Sequence, residues 1–99
     1  MIKHIVMWRV GGASPEEILT TAQAIKDRID TLPGQIKEIR TFEVGLNINT
    51  SDSACDLVLV SDFDSVEDLA VYSACPAHQE VVQFLGTFST EHWTVDYEY

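Results

Sequence analysis

Ile2-Lys3-His4-Ile5-Val6-Met7-Trp8-Arg9-Val10 is followed by Gly11-Gly12 and then by Ser14-Pro15-Glu16-Glu17, and these two runs decide the fold. In the first, His4, Val6, Trp8 and Val10 share one side of an extended chain, and Lys3, Ile5, Met7 and Arg9 share the other. A period of two with apolar residues on both sides predicts a strand covered on both faces. In the second, a Ser14 hydroxyl, a first-turn Pro15 and Glu17 three residues after the serine form a helix start. Ile18, Ala22, Ile25 and Ile29 then recur at helical spacing and Glu16, Gln23, Lys26 and Asp30 look outward, until Leu32-Pro33-Gly34 ends the helix.

Beyond this first βα unit the chain turns extended from Ile36. Phe42, Val44, Leu46 and Ile48 alternate with Thr41, Glu43, Gly45 and Asn47, which predicts a long half-buried strand. Asn49-Thr50-Ser51-Asp52-Ser53 is a turn, and Leu57-Val58-Leu59-Val60 completes a hairpin. Asp64 or Ser65 caps a second helix, with Asp68 closing a capping box from Ser65 and with Val66, Leu69 and Ala70 on its inner side. Pro76 lacks an amide donor and clashes with the preceding turn, so it divides that helix into segments of about 65–74 and 76–86. His92 to Tyr99 alternates Trp93, Val95 and Tyr97 with polar residues as a last strand.

The order β-α-β-β-α-β predicts an α+β, ferredoxin-like protomer: one domain over residues 1–99, with an antiparallel sheet and helices on a single face. The opposite face would expose apolar side chains from all four strands, so a second copy is expected to cover it and form a homodimer. A chain of 99 residues also leaves roughly a third of its unfolded-chain surface exposed when folded, and 45% hydrophobic residues is a generous supply for one small core.

Composition narrows the partners. Six Lys and Arg against sixteen Asp and Glu give a formal charge of −10, and no cation follows Arg40. Nucleic acid needs clustered cations, and an anionic membrane surface attracts them, so neither is expected as a partner. Cys55 and Cys75 have no secretory signal before them and read as reduced thiols of a cytoplasmic protein. No metal site is expected, because His4, His78 and His92 stand at neither H-x-H nor i, i+4 spacing, and no glycine-rich motif points to a cofactor.

The candidate site centres on His78, which opens the series His78, Val81, Val82, Leu85 on the buried stripe of the helix after Pro76. An imidazole there serves as a base or hydrogen-bond donor, or else is a core histidine satisfied by a backbone carbonyl. Tyr72 lies six residues earlier. On an unbroken helix that separation turns the chain by about 600° and points the two side chains apart. A break at Pro76 re-aims them toward one cavity as an acid/base pair for enolisable substrates; the alternative is a tyrosine that packs its ring and leaves its hydroxyl in water. His4 adds a polar contact facing either the helices or a partner sheet, and Trp8, Val82 and Leu85 are the expected apolar walls. The ligand is then a small apolar or aromatic molecule.

Met1-Ile2-Lys3-His4-Ile5-Val6, Phe42-Glu43-Val44-Gly45-Leu46-Asn47, Asp56-Leu57-Val58-Leu59-Val60 with Phe63, and Tyr72-Ser73-Ala74-Cys75-Pro76-Ala77-His78 together resemble the stress-responsive A/B barrel domain family over nearly the whole chain. The resemblance implies a ferredoxin-like protomer that pairs sheet to sheet as a dimeric α+β barrel. It implies a pocket lined by His4, Tyr72 and His78, as in a plant polyketide cyclase of the family, although Ile25 stands where that cyclase has a pocket tyrosine and Cys75 where many members have histidine. Family members are functionally mixed. A stress-associated structural dimer with Trp8 and Phe84 filling the pocket, and a cofactor-free monooxygenase-like enzyme, are the alternatives.

Overall fold

The computed structural model describes residues Met1–Tyr99. Its elements are β1 (Ile2–Val10), α1 (Pro15–Ile29), β2 (Ile39–Leu46), β3 (Leu57–Phe63), α2 (Val66–Ala74), α3 (Pro76–Leu85) and β4 (Thr90–Glu98). The strands form one antiparallel sheet in the order β2-β3-β1-β4, the ferredoxin-like arrangement. The starts of α1 and α2 carry serine caps: Ser14 Oγ accepts from Glu17 N–H and Ser65 Oγ from Asp68 N–H, each at 3.1 Å. Each cap satisfies a donor with no partner inside the helix.

One face of the sheet meets the helices. Ile2, Val6, Trp8 and Val10 of β1, Leu57, Leu59 and Phe63 of β3 and Val44 of β2 pack against Ala22, Ile25 and Ile29 of α1, with Leu32 and Ile36 closing the end. Several details differ from the sequence expectation. On α2 the buried position is Tyr72, packed alongside Leu69, whereas Val66 is 62% exposed and Ala70 points outward, because the helix rests on β3 along the Leu69–Tyr72 side. On α3 only Val81 is buried; Val82 is exposed and His78 and Leu85 are half-buried, since that side of the helix meets a cavity and not the core. β2 begins at Ile39, and it stops at Leu46, where Asn47 and Asn49 form side-chain-to-backbone turns, so Ile48 is solvent-exposed.

The face without helices carries Ile5 and Met7 of β1, Val58 and Val60 of β3, and Trp93, Val95 and Tyr97 of β4, aligned by cross-strand register. β1 is therefore helix-covered on one side and open on the other within the protomer. The apolar surface comes from three strands and not four, because β2 contributes Thr41, Glu43 and Gly45 to this side. At one end of the same face Asp62, 6% exposed, accepts hydrogen bonds from Thr41 Oγ1, Tyr99 Oη and Lys3 Nζ. Both free cysteines are half-buried.

The donors around Asp62, Thr41 and Tyr99 foremost, hold its carboxyl at about 2, below the ordinary carboxylate value, despite the opposing effect of burial. A depressed carboxyl pKa contributes stability that is complete above the unfolded value near pH 4 and disappears as pH falls toward 2. Thermal melts of the wild type are expected to lose stability across that window, with Asp62→Asn less stable at pH 7 and flatter between pH 4 and 2. Parallel pH profiles for the two proteins would contradict this assignment.

Candidate functional site

The site originates in the helix break. A residue before proline is pushed out of the α region, and Cys75 has φ −63° and ψ 135°, ending α2 and starting α3 in one step. In a continuous helix the Ser73 carbonyl would accept from the Ala77 N–H. Here it accepts from His78 Nδ1 at 3.1 Å and from Gln79 Nε2 at 2.7 Å. A carbonyl only accepts, so Nδ1 of the neutral imidazole carries the hydrogen and Nε2 keeps a free lone pair. The break also swings Tyr72 beside His78, with ring centroids 4.6 Å apart.

Tyr72 is 2% exposed and is one of the residues lining the cavity, and its hydroxyl hydrogen-bonds no protein group. Its ring packs on Phe63 at 5.0 Å, with His4 edge-on at 5.9 Å. Burial raises the phenol above its ordinary value, so it remains a donor at neutral pH. His4 faces the helices, with Nδ1 paired to the Asp96 carboxylate directly across the β1–β4 ladder. Burial lowers the pKa of His78, the Ser73 hydrogen bond partly opposes this, and the neighbouring His4 lowers it further.

These groups surround a cavity of about 510 Å³. The sheet side is His4, Val6, Trp8 and Leu59; Tyr72, His78, Val81, Val82 and Leu85 close the helix side. All six residues singled out from sequence (His78, Tyr72, His4, Trp8, Val82 and Leu85) therefore line one space. Ile25 does not line it and is fully buried in the core; Cys75 caps the helix break outside the lining. The mouth opens at β4, which is exposed from Glu91 onward because the helices lie over the other strands. Thr90, His92 and Thr94 form that rim.

His92 and Asp96 lay outside the sequence reading of the site. Asp96 is detectable only through the β1–β4 register that sets it opposite His4, and His92 only through the same register opposite Trp8. No Lys or Arg lines the cavity. No group of three His, Cys, Asp or Glu side chains is arranged to hold a metal, and no helix is long and apolar enough to cross a membrane.

A family model, the stress responsive A/B barrel domain, matches residues 2–99. The chain belongs to this family. An uncharacterized protein of Streptomyces coelicolor is 31% identical over the full length of both chains. Among solved structures, a dimeric ferredoxin-like protein of unknown function from Bacteroides fragilis is 34% identical, covers 99% of this chain and 95% of its own, and superposes with a TM-score of 0.85. A hydroxynitrile lyase from Passiflora edulis superposes at 0.77 over 97% of this chain and 90% of its own; at 17% identity that likeness is one of fold alone.

A lowered folded-state pKa means that the unfolded chain takes up the His78 proton first, so this group's contribution to stability falls as pH drops below the ordinary histidine value. Imidazole nitrogen NMR is expected to show His78 as the neutral Nδ1–H form at pH 7, titrating below the ordinary histidine value. An Nε2–H form, or a midpoint at or above that value, would contradict the geometry.

Proposed function

We propose that the protein binds a small, neutral, mostly apolar molecule with an enolisable carbonyl in the cavity between the sheet and α2–α3, and acts on it by acid/base chemistry. The observation that carries this reading is the pairing of a buried phenol without a protein partner and an imidazole whose Nε2 is free, side by side in an open space. The Tyr72 hydroxyl donates to the carbonyl oxygen. His78 Nε2 removes a proton from the adjacent carbon, the electron pair moves into the carbonyl as an enolate held by the phenol, and the imidazolium returns the proton to a new position. His4, oriented by Asp96, supplies the second polar contact.

The apolar wall from Val81, Val82 and Leu85 and the absence of lining cations favour a neutral ligand. A structural dimer with a self-filled pocket would need Trp8 or Phe84 inside the space. Trp8 instead stands in one wall, and Phe84 packs on Phe88 at 5.2 Å with the Arg28 guanidinium above its ring.

The opposite sheet face supports a homodimer. Trp93, Val95 and Tyr97 are each about half exposed there beside Ile5 and Met7, a contiguous group of exposed apolar side chains of the kind that marks an interaction surface. The charge of −10 per chain opposes association, but exposed charges are screened beyond about 8 Å at physiological salt. A face-to-face pair is isologous and closes an α+β barrel. Protomers on this reading work in a reducing, cytoplasmic setting with both thiols free.

With acetophenone as probe, wild-type protein is expected to accelerate exchange of the methyl protons into deuterium oxide, and His78→Ala to lower that rate by about 10²-fold or more. The variant should stay folded, at a cost on the order of 1 to 3 kcal/mol. Equal rates for the two proteins would remove the proposed chemistry. For the assembly, light scattering at micromolar concentration should give twice the chain mass for wild type and a single chain for Met7→Asp. A wild-type monomer would overturn the dimer.

A further inference from the structure

The open sheet face is uneven, and its unevenness selects one way of pairing two copies; this step rests on the homodimer proposed above. Cross-strand register arranges the face in rows: Gly45, Val58, Met7 and Trp93 in one, Glu43, Val60, Ile5 and Val95 in the next, then Thr41, Asp62, Lys3 and Tyr97. The β4 edge is tall, with Trp93 and Tyr97 standing exposed and the Arg9 guanidinium 5.8 Å from the Trp93 ring. The β2 edge is low. Gly45 has no side chain, and beside it lies a hollow of about 390 Å³ lined in part by Met7, Leu46, Cys55, Leu57 and Val58.

Two aligned sheets packed face to face are related by a two-fold axis lying between them, either across the strands or along them. An axis across the strands sets β4 on the partner's β4 and β2 on the partner's β2. Tall meets tall on one side, and the hollow at Gly45 stays empty on the other. Close-packed interiors tolerate neither. An axis along the strands exchanges left and right in the order β2-β3-β1-β4, so β4 of each copy crosses over β2 of the other. Such an axis also preserves height along the strand, which keeps each row opposite itself. The usual crossing of about 30° shifts the facing point by roughly one residue, within the hollow. Sheets pack about 10 Å apart, and an indole standing in that gap needs a facing residue with little or no side chain.

We infer that Trp93 of each protomer seats in the hollow at the partner's Gly45, so that this tryptophan and this glycine set the register of the dimer. Nothing in the protomer itself demands glycine there: a Cβ at Gly45 would meet Val58 Cγ1 at 3.5 Å, an ordinary contact.

The test is complementation, read by sedimentation. Gly45→Phe fills the hollow and Trp93→Ala removes the knob, and each alone should weaken the homodimer by tenfold or more. Mixed, the two should form a heterodimer, because the introduced phenylalanine then faces the alanine while the remaining Trp93 faces the remaining Gly45. Homodimers as tight as wild type, or a mixture that stays monomeric, would overturn the register. If Gly45→Phe does not fold, Trp93→Cys decides: at a concentration where it sediments as a dimer, a bismaleimide with a spacer of about 10 Å, the gap between packed sheets, should join it to the partner's Cys55 and yield a covalent dimer that Cys55→Ser abolishes, and no such dimer overturns the register. A dimeric wild type with a failed complementation refutes the register alone, whereas a monomeric wild type refutes the dimer itself.

Discussion

Four antiparallel strands offer two faces, and the helical layer is too narrow to cover even one of them completely. α1 lies over β1 and β2 and α2 over β3, while α3, turned aside at Pro76, packs back toward α1 and leaves the helix-side face of β4 in solvent. The gap under α3 becomes the cavity, with β4 as its rim. On the other face no helix competes, and the apolar rows of β1, β3 and β4 are left for a second copy. The proposed ligand chemistry and the proposed assembly use opposite sides of the same strands: His4 and Trp8 point one way, Ile5 and Met7 the other.

Proline acts here through hydrogen bonding as much as through shape. Interrupting the helix leaves the Ser73 carbonyl without its Ala77 donor, and the side chains of His78 and Gln79 donate to it instead. The imidazole of His78 is oriented in return, its other nitrogen left without a protein partner and its ring beside that of Tyr72. Burial then works in the same direction for both groups, keeping the phenol protonated and the imidazole neutral. Each is left in the protonation state that proton transfer from a carbon acid requires.

Much of the fold was legible because its signals are local. The alternation in Ile2–Val10, the Ser14 and Ser65 caps and the interruption at Pro76 each depend on residues a few positions apart, and all reappear in the element order. What was misread depends on packing between elements. Val66 and Ala70 match an inner helical stripe as well as Leu69 and Tyr72 do, and only the placement of α2 on β3 decides between them. The long alternation through Ile48 continues past the point where β3 stops pairing with β2. The candidate site follows the same division: Tyr72 and His78 were legible through the proline between them, whereas Asp96 meets His4, and His92 joins the cavity rim, by strand register alone.

The division of labour between the two faces is open to one direct measurement: amide and methyl chemical-shift perturbation of the wild-type protein titrated with acetophenone. Shifts are expected at His4, Tyr72, His78, Val81 and Leu85, with none at Met7, Val58 or Val95. Shifts concentrated on the open sheet face, or none anywhere at millimolar probe, would contradict it.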